Sequence, residues 1–85
     1  MNNFLEGKVA FITGGAKNLG RAMALEYAKN NVSIAINART HSQDLDQTME
    51  MISSLGGKSI ACVGDITHRT EVNRMVETIK QTFGR

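Results

Sequence analysis

The sequence predicts an α/β fold, half of a doubly wound parallel sheet with the order β-α-β-α-β-α. Three observations carry this. Three short apolar runs, "KVAFIT" at 8–13, "VSIAIN" at 32–37 and "KSIACV" at 58–63, read as strands. Each is followed by a stretch of helical periodicity. The connections between them are short, which favours right-handed crossovers and a parallel sheet. The 85 residues make at most one small domain, 1–85, with a thin core.

Each element has its own warrant. "KVAFIT" is apolar almost throughout, as a strand covered on both faces must be. From Asn18 to Asn30 the pattern turns helical, with Leu19, Met23 and Tyr27 at spacing four and Ala22, Ala24 and Ala28 allowing close packing. After "VSIAIN", Thr40 or Ser42 can cap a second helix whose apolar face is Leu45, Met49, Ile52 and Leu55, ended by Gly56 and Gly57. After "KSIACV", Thr67 can cap a third helix with Val72, Met75, Val76, Ile79 and Phe83 on its buried side. The Met and Leu stripes are expected in the core.

Composition excludes several classes. At 41% hydrophobic residues and without proline, the chain is that of an ordinary soluble globular protein. Ten Lys and Arg against eight Asp and Glu leave a net charge of only +2, and the basic residues are scattered, so no nucleic-acid partner is expected. Cys62 stands alone, which excludes an internal disulfide and a cysteine-based zinc framework and fits a reducing compartment. His41 and His68 have no third partner at metal spacing, so no metal site is expected. The first 13 residues carry Glu6 and Lys8 without a long apolar run, and no stretch approaches the ~20 residues of a membrane span. The cytoplasm is the expected location, with no membrane partner.

"TGGAKNLGRA", 13–22, lies between the first strand and the first helix. At such a junction a ligand meets the carboxyl edge of the sheet and the positive end of a helix, which suits phosphate. Gly14 and Gly15 let the backbone turn and approach a pyrophosphate, and Gly20 lets the helix pack against the strand. The pattern G-x-G-x-x-G fails, with Ala16 where a second glycine belongs. The phosphate loop G-x-x-x-x-G-K-[ST] nearly fits from Gly15 to Gly20, but Arg21 and Ala22 follow, leaving no hydroxyl for magnesium.

The wider spacing T-G-x-x-x-G-x-G does fit, and with it the chain resembles the short-chain dehydrogenase/reductase family, whose fold is of the Rossmann type. Thr13, Gly14 and Gly20 match, and Asn18 stands where that family has its middle glycine. Asparagine is the non-glycine residue that best tolerates positive φ. "GKVAFITGG", the helix "RAMALEYAKNN" and "GDIT" after the third strand extend the likeness over essentially the whole chain.

The resemblance implies a dinucleotide cofactor, with Gly14, Gly15, Lys17, Asn18 and Leu19 at its phosphates. An acidic residue at the end of the second strand would select NAD(H), but "NART" offers Ala38 and Arg39, and no carboxylate follows until Asp44 in the predicted helix. Arg39 is a planar fork suited to a 2′-phosphate, with Lys17 as a second cation, so NADP(H) is favoured over NAD(H). The resemblance also places Asp65 and Ile66 at the adenine.

The family's proton donor is a tyrosine, with a lysine four residues later and a serine nearby. Tyr27 is the only tyrosine; Asn31 holds the lysine position, and the family's Asn-Asn-Ala-Gly segment is absent. No residue of this chain is therefore expected to be catalytic. The expected function is the NADP(H)-binding, amino-terminal half of a carbonyl or alcohol oxidoreductase of the 3-oxoacyl-thioester (3-oxoacyl-carrier-protein-reductase-like) or hydroxysteroid-like type. The alternative is a short non-catalytic module for nucleotide binding or assembly. The family's strand order would leave "VAFIT" at an open edge, so self-association through that edge is expected.

Overall fold

The computed structural model describes residues 7–14 and 18–84. Its elements are β1 (Val9–Thr13), α1 (Asn18–Lys29), β2 (Ser33–Ala38), α2 (Gln43–Ser54), β3 (Ser59–Val63) and α3 (Arg69–Phe83). The strands form one parallel sheet in the order β1-β2-β3. In register, Ile12 lies beside Ile36 and Ile36 beside Ala61, while Phe11, Ala35 and Ile60 form the neighbouring row. Side chains alternate between faces along a strand, so these two rows face opposite ways.

One face is covered by α1 and α2 around Ile12, Ala24, Ala28, Val32, Ile34, Ile36, Leu45 and Ile52. The other is covered by α3, whose Met75 and Ile79 pack on Ala35 and Cys62. Helices on both faces make this a partial Rossmann-type α/β fold. Between two strands and two helical layers, β2 is the most buried strand, and Ile34, Ala35 and Ile36 have no exposed surface.

The helix ends are closed by backbone geometry. At the end of α1, Asn31 turns left-handed (φ 61°), its N–H reaching Ala28 O and that of Val32 reaching Tyr27 O. This is a Schellman closure with asparagine in the place glycine usually takes. The same pair of bonds closes α2, from Gly56 to Ser53 O and from Gly57 to Ile52 O. Gly57 is also a close approach, since a Cβ there would lie 2.8 Å from Ile52 Cγ2 and 3.1 Å from Ala28 Cβ.

Several expectations need correcting. The face that α1 buries holds Ala24 and Ala28, while Leu19 is 74% and Met23 42% exposed. Small side chains let the helix sit close on the sheet, and the longer ones are left along a groove beside β1 with Ala10, Phe11 and Tyr27. Leu55 and Val76 are also exposed, the first because it is the C-cap of α2, the second because it lies off the stripe that α3 lays on the sheet. Thr48 of α2 is fully buried, its hydroxyl accepting from Arg21 Nε of α1 at 2.7 Å. Ser42, and not Thr40, caps α2, its Oγ accepting from Leu45 N. Thr67 does not cap α3: His68 holds the N-cap position, and its side chain makes no capping bond to the backbone.

Among the described residues no helix is long and apolar enough to cross a membrane. Ile36→Ala, at the centre of the core, should lower the unfolding free energy by about 2–5 kcal/mol, measured by urea denaturation. Met51→Ala, on the exposed side of α2, should change it by less than ~0.5 kcal/mol.

Candidate functional site

Because the strands are parallel, Thr13, Ala38 and Val63 end on one rim of the sheet, and the chain leaves that rim three times. After β1, the N–H of Gly14 donates to Asn37 O at 3.0 Å, prolonging the ladder by one bond, and the chain then turns at φ 63°. A Cβ at Gly14 would meet nothing within 4 Å, so the requirement there is the backbone angle and not space. Gly15 and Lys17 lie outside the described residues. Asn18 opens α1 at φ 57°, in the left-handed region, and Leu19 follows on the surface. The first turn of α1 holds no acidic side chain, so nothing there offsets the positive end of its dipole.

After β2 and β3 the rim brings two of the expected residues together. Arg39, with 81% of its side chain exposed, donates from Nη2 to Asp65 Oδ2 at 3.2 Å. Asp65 is held from several directions. Its Oδ1 accepts from the hydroxyl of Thr67 at 2.7 Å and from the N–H of Thr67 at 2.9 Å, and its own N–H donates to Glu71 Oε1 at 3.1 Å. Ile66 follows, half exposed. The Thr67 hydroxyl and then its amide hold the Asp65 carboxyl below the usual carboxylate range; desolvation opposes them, and the charges of Arg39 and His68 add smaller lowering effects.

A carboxylate, that of Asp65 in the turn after β3, therefore lies beside the end of β2, against Arg39. Asp44, the nearest acidic residue in the sequence after Arg39, lies in α2, where it meets Arg21 of α1. His41 pairs with Asp46, and His68 with Glu71. A larger hollow opens at the opposite, amino-terminal ends of the strands, beside Ser33 and Ser59, and does not touch these residues.

Two residues of the site were not singled out from the sequence. Asn37 is 4% exposed; its Nδ2 donates to Cys62 O at 2.9 Å and Gly64 O at 3.2 Å. With the Gly64 N–H on Ala38 O, these bonds fix the start of the Asp65 turn against the end of β2. The available signal was one amide inside the otherwise apolar "SIAINA". Glu71 is the second, a carboxylate three residues past the N-cap, the capping-box spacing, here reaching back to Asp65.

A glycine turn at the end of a first parallel strand, a helix amino terminus beside it, and a side-chain cluster on the next two strand ends belong to the nucleotide-binding half of a dinucleotide fold. The chain belongs to the short-chain dehydrogenase/reductase family: the sequence profile described as short chain dehydrogenase matches residues 8–85. An uncharacterized oxidoreductase of Methylorubrum extorquens is 37% identical over 81 residues, 95% of this chain and 33% of that protein. The short-chain dehydrogenase/reductase homolog YusS of Bacillus subtilis is 32% identical over 77 residues, 91% of this chain and 71% of YusS. Among solved structures, a short-chain type dehydrogenase/reductase from Mycobacterium marinum superposes with a TM-score of 0.87 at 32% identity, covering 99% of this chain and 35% of that one. A short chain dehydrogenase from Mycobacterium paratuberculosis bound to NAD also gives 0.87, at 27% identity, over 95% and 34%. Apart from YusS, the chain spans about a third of the length of these proteins.

The Asp65 turn makes a pH prediction. A carboxyl held below its unfolded value of about 3.9 adds stability that is whole above that value and lost as pH falls through the folded one. In a carbon-detected NMR titration, Thr67→Val should move the Asp65 midpoint upward, and an unchanged midpoint overturns the Thr67 contribution.

Proposed function

We propose that the chain is the NADP(H)-binding half of an oxidoreductase that moves hydride between the nicotinamide and a carbonyl or alcohol. The observation that carries this is Arg39, an exposed guanidinium at the end of β2, where a dinucleotide fold places the adenosine ribose. When bound, the cofactor supplies the hydride chemistry; this chain's part is to bind and orient. Gly14, Gly15, Asn18 and Leu19, with the positive end of α1, take the pyrophosphate. Arg39 and Lys17 take the 2′-phosphate, and Asp65 and Ile66 the adenine.

Proton donation falls to residues outside these 85. Tyr27, half-buried against the α1 and α2 core, packs as a structural side chain. The single cysteine, buried and free, supports a cytoplasmic setting.

The share of YusS covered by the chain favours a second reading, a short nucleotide-binding or assembly module without catalysis. In that form the outer edge of β1, which has no strand partner among the described residues, pairs with a second copy, and Phe11, Leu19 and Met23 supply the apolar flanks.

Two measurements test these readings. Calorimetric titration should show NADP+ binding more tightly than NAD+, with Arg39→Ala weakening NADP+ by about tenfold or more and NAD+ little. Equal affinity for the two cofactors in the unaltered chain overturns the NADP(H) assignment. Sedimentation velocity should show a concentration-dependent dimer that Phe11→Lys disperses; a monomer at the highest concentrations overturns the self-association.

A further inference from the structure

The sign of the charge around a 2′-phosphate depends on what surrounds Arg39, and Arg39 is already paired. Its partner is the less mobile of the two. Asp65 Oδ1 is taken twice by Thr67, the Asp65 N–H by Glu71, and the preceding Gly64 by Ala38 and Asn37. Arg39 has one hydrogen bond and a long, exposed stem. An exposed ion pair of this kind is weak, so an incoming phosphate can share or draw off the guanidinium. The carboxylate stays where it is.

We propose that Asp65 is a specificity-determining residue that opposes Arg39, a fixed anion beside the 2′-phosphate cation, so that the site admits both NAD(H) and NADP(H) with only a modest preference. This rests on the reading of Arg39 as the 2′-phosphate ligand. The two side chains together carry no net charge, whereas a phosphomonoester carries between one and two negative charges near neutral pH. Whatever the guanidinium contributes is partly offset by repulsion from Oδ2. At a separation of one contact in solvent, each such charge pair changes affinity by roughly three- to tenfold. A carboxylate at the end of β2 would exclude the 2′-phosphate outright; one reaching across from β3 and tied to an arginine reduces the discrimination.

The test uses the adenosine ends alone, 2′,5′-ADP and 5′-AMP, titrated calorimetrically into the full chain at low salt. Asp65→Asn is the informative variant, because asparagine keeps an Oδ1 acceptor for Thr67 while losing both the charge and the Oδ2 acceptor of Arg39. An unchanged circular dichroism spectrum and urea midpoint show that the turn survives. The expected result is a preference for 2′,5′-ADP over 5′-AMP that rises roughly three- to tenfold in Asp65→Asn and does not move in Glu77→Gln, which removes a charge from the exposed face of α3. An unchanged or reduced preference in Asp65→Asn, with Arg39→Ala still lowering it, overturns the role of Asp65 and leaves that of Arg39 standing. No effect of Arg39→Ala, or no binding of either probe by the unaltered chain, overturns the phosphate reading and this inference with it.

Discussion

The two-sided pairing of β2 is the constraint on which the rest of this structure depends. It takes hydrogen bonds from β1 on one edge and β3 on the other, and its side chains are buried by helices on both faces. Among the described residues no other element is enclosed in this way, and the residues that allow it, Ile34, Ala35 and Ile36, are apolar without interruption. Parallel pairing then puts three strand ends on one rim, so that Gly14, Arg39 and Asp65 all leave the sheet on the same side. The site is a product of strand direction before it is a product of side chains.

The single polar group that β2 buries serves the same end. Asn37 spends its amide protons on the carbonyls of Cys62 and Gly64, where the adjacent strand stops and the turn begins. A buried amide satisfied in this way adds only modestly to stability, and its main value lies in fixing geometry. Thr67 and Glu71 complete the work from the helix side. The turn is thereby over-determined while the arginine facing it is not, and an electrostatic balance in which only one partner moves follows from that asymmetry.

The sequence made the strands and their order legible, because an apolar run bounded by turn residues has few other readings, and the periodicity located all three helices. It did not show which stripe of α1 meets the sheet. Leu19, Met23 and Tyr27 recur at the same spacing as Ala24 and Ala28, and only packing distance decides that the small pair goes inward. The glycine turn could be read locally, since Gly14 and Asn18 declare a backbone conformation by their own chemistry. The contact of Arg39 with Asp65 could not, because residues 26 apart in the chain meet only once the register of two strands is known. Thr67 was misplaced for a related reason: its hydroxyl could cap α3 or close a turn on Asp65, and the aspartate's position decides. Gly15 and Lys17, both expected at the phosphates, fall outside the described residues.

The pairing pattern also dictates a temporal order of assembly. Every strand contact here is parallel, so none can begin as a hairpin closed by a tight turn; each requires a complete helical crossover first. During synthesis β1 leaves the ribosome with no partner until α1 and then Ser33–Ala38 have emerged behind it. In that interval "VAFIT" is an unpaired, uncharged, β-prone segment, exposed on both edges rather than one. The aggregation-prone stretch thus runs directly into the glycine turn of the candidate site, and the two emerge together.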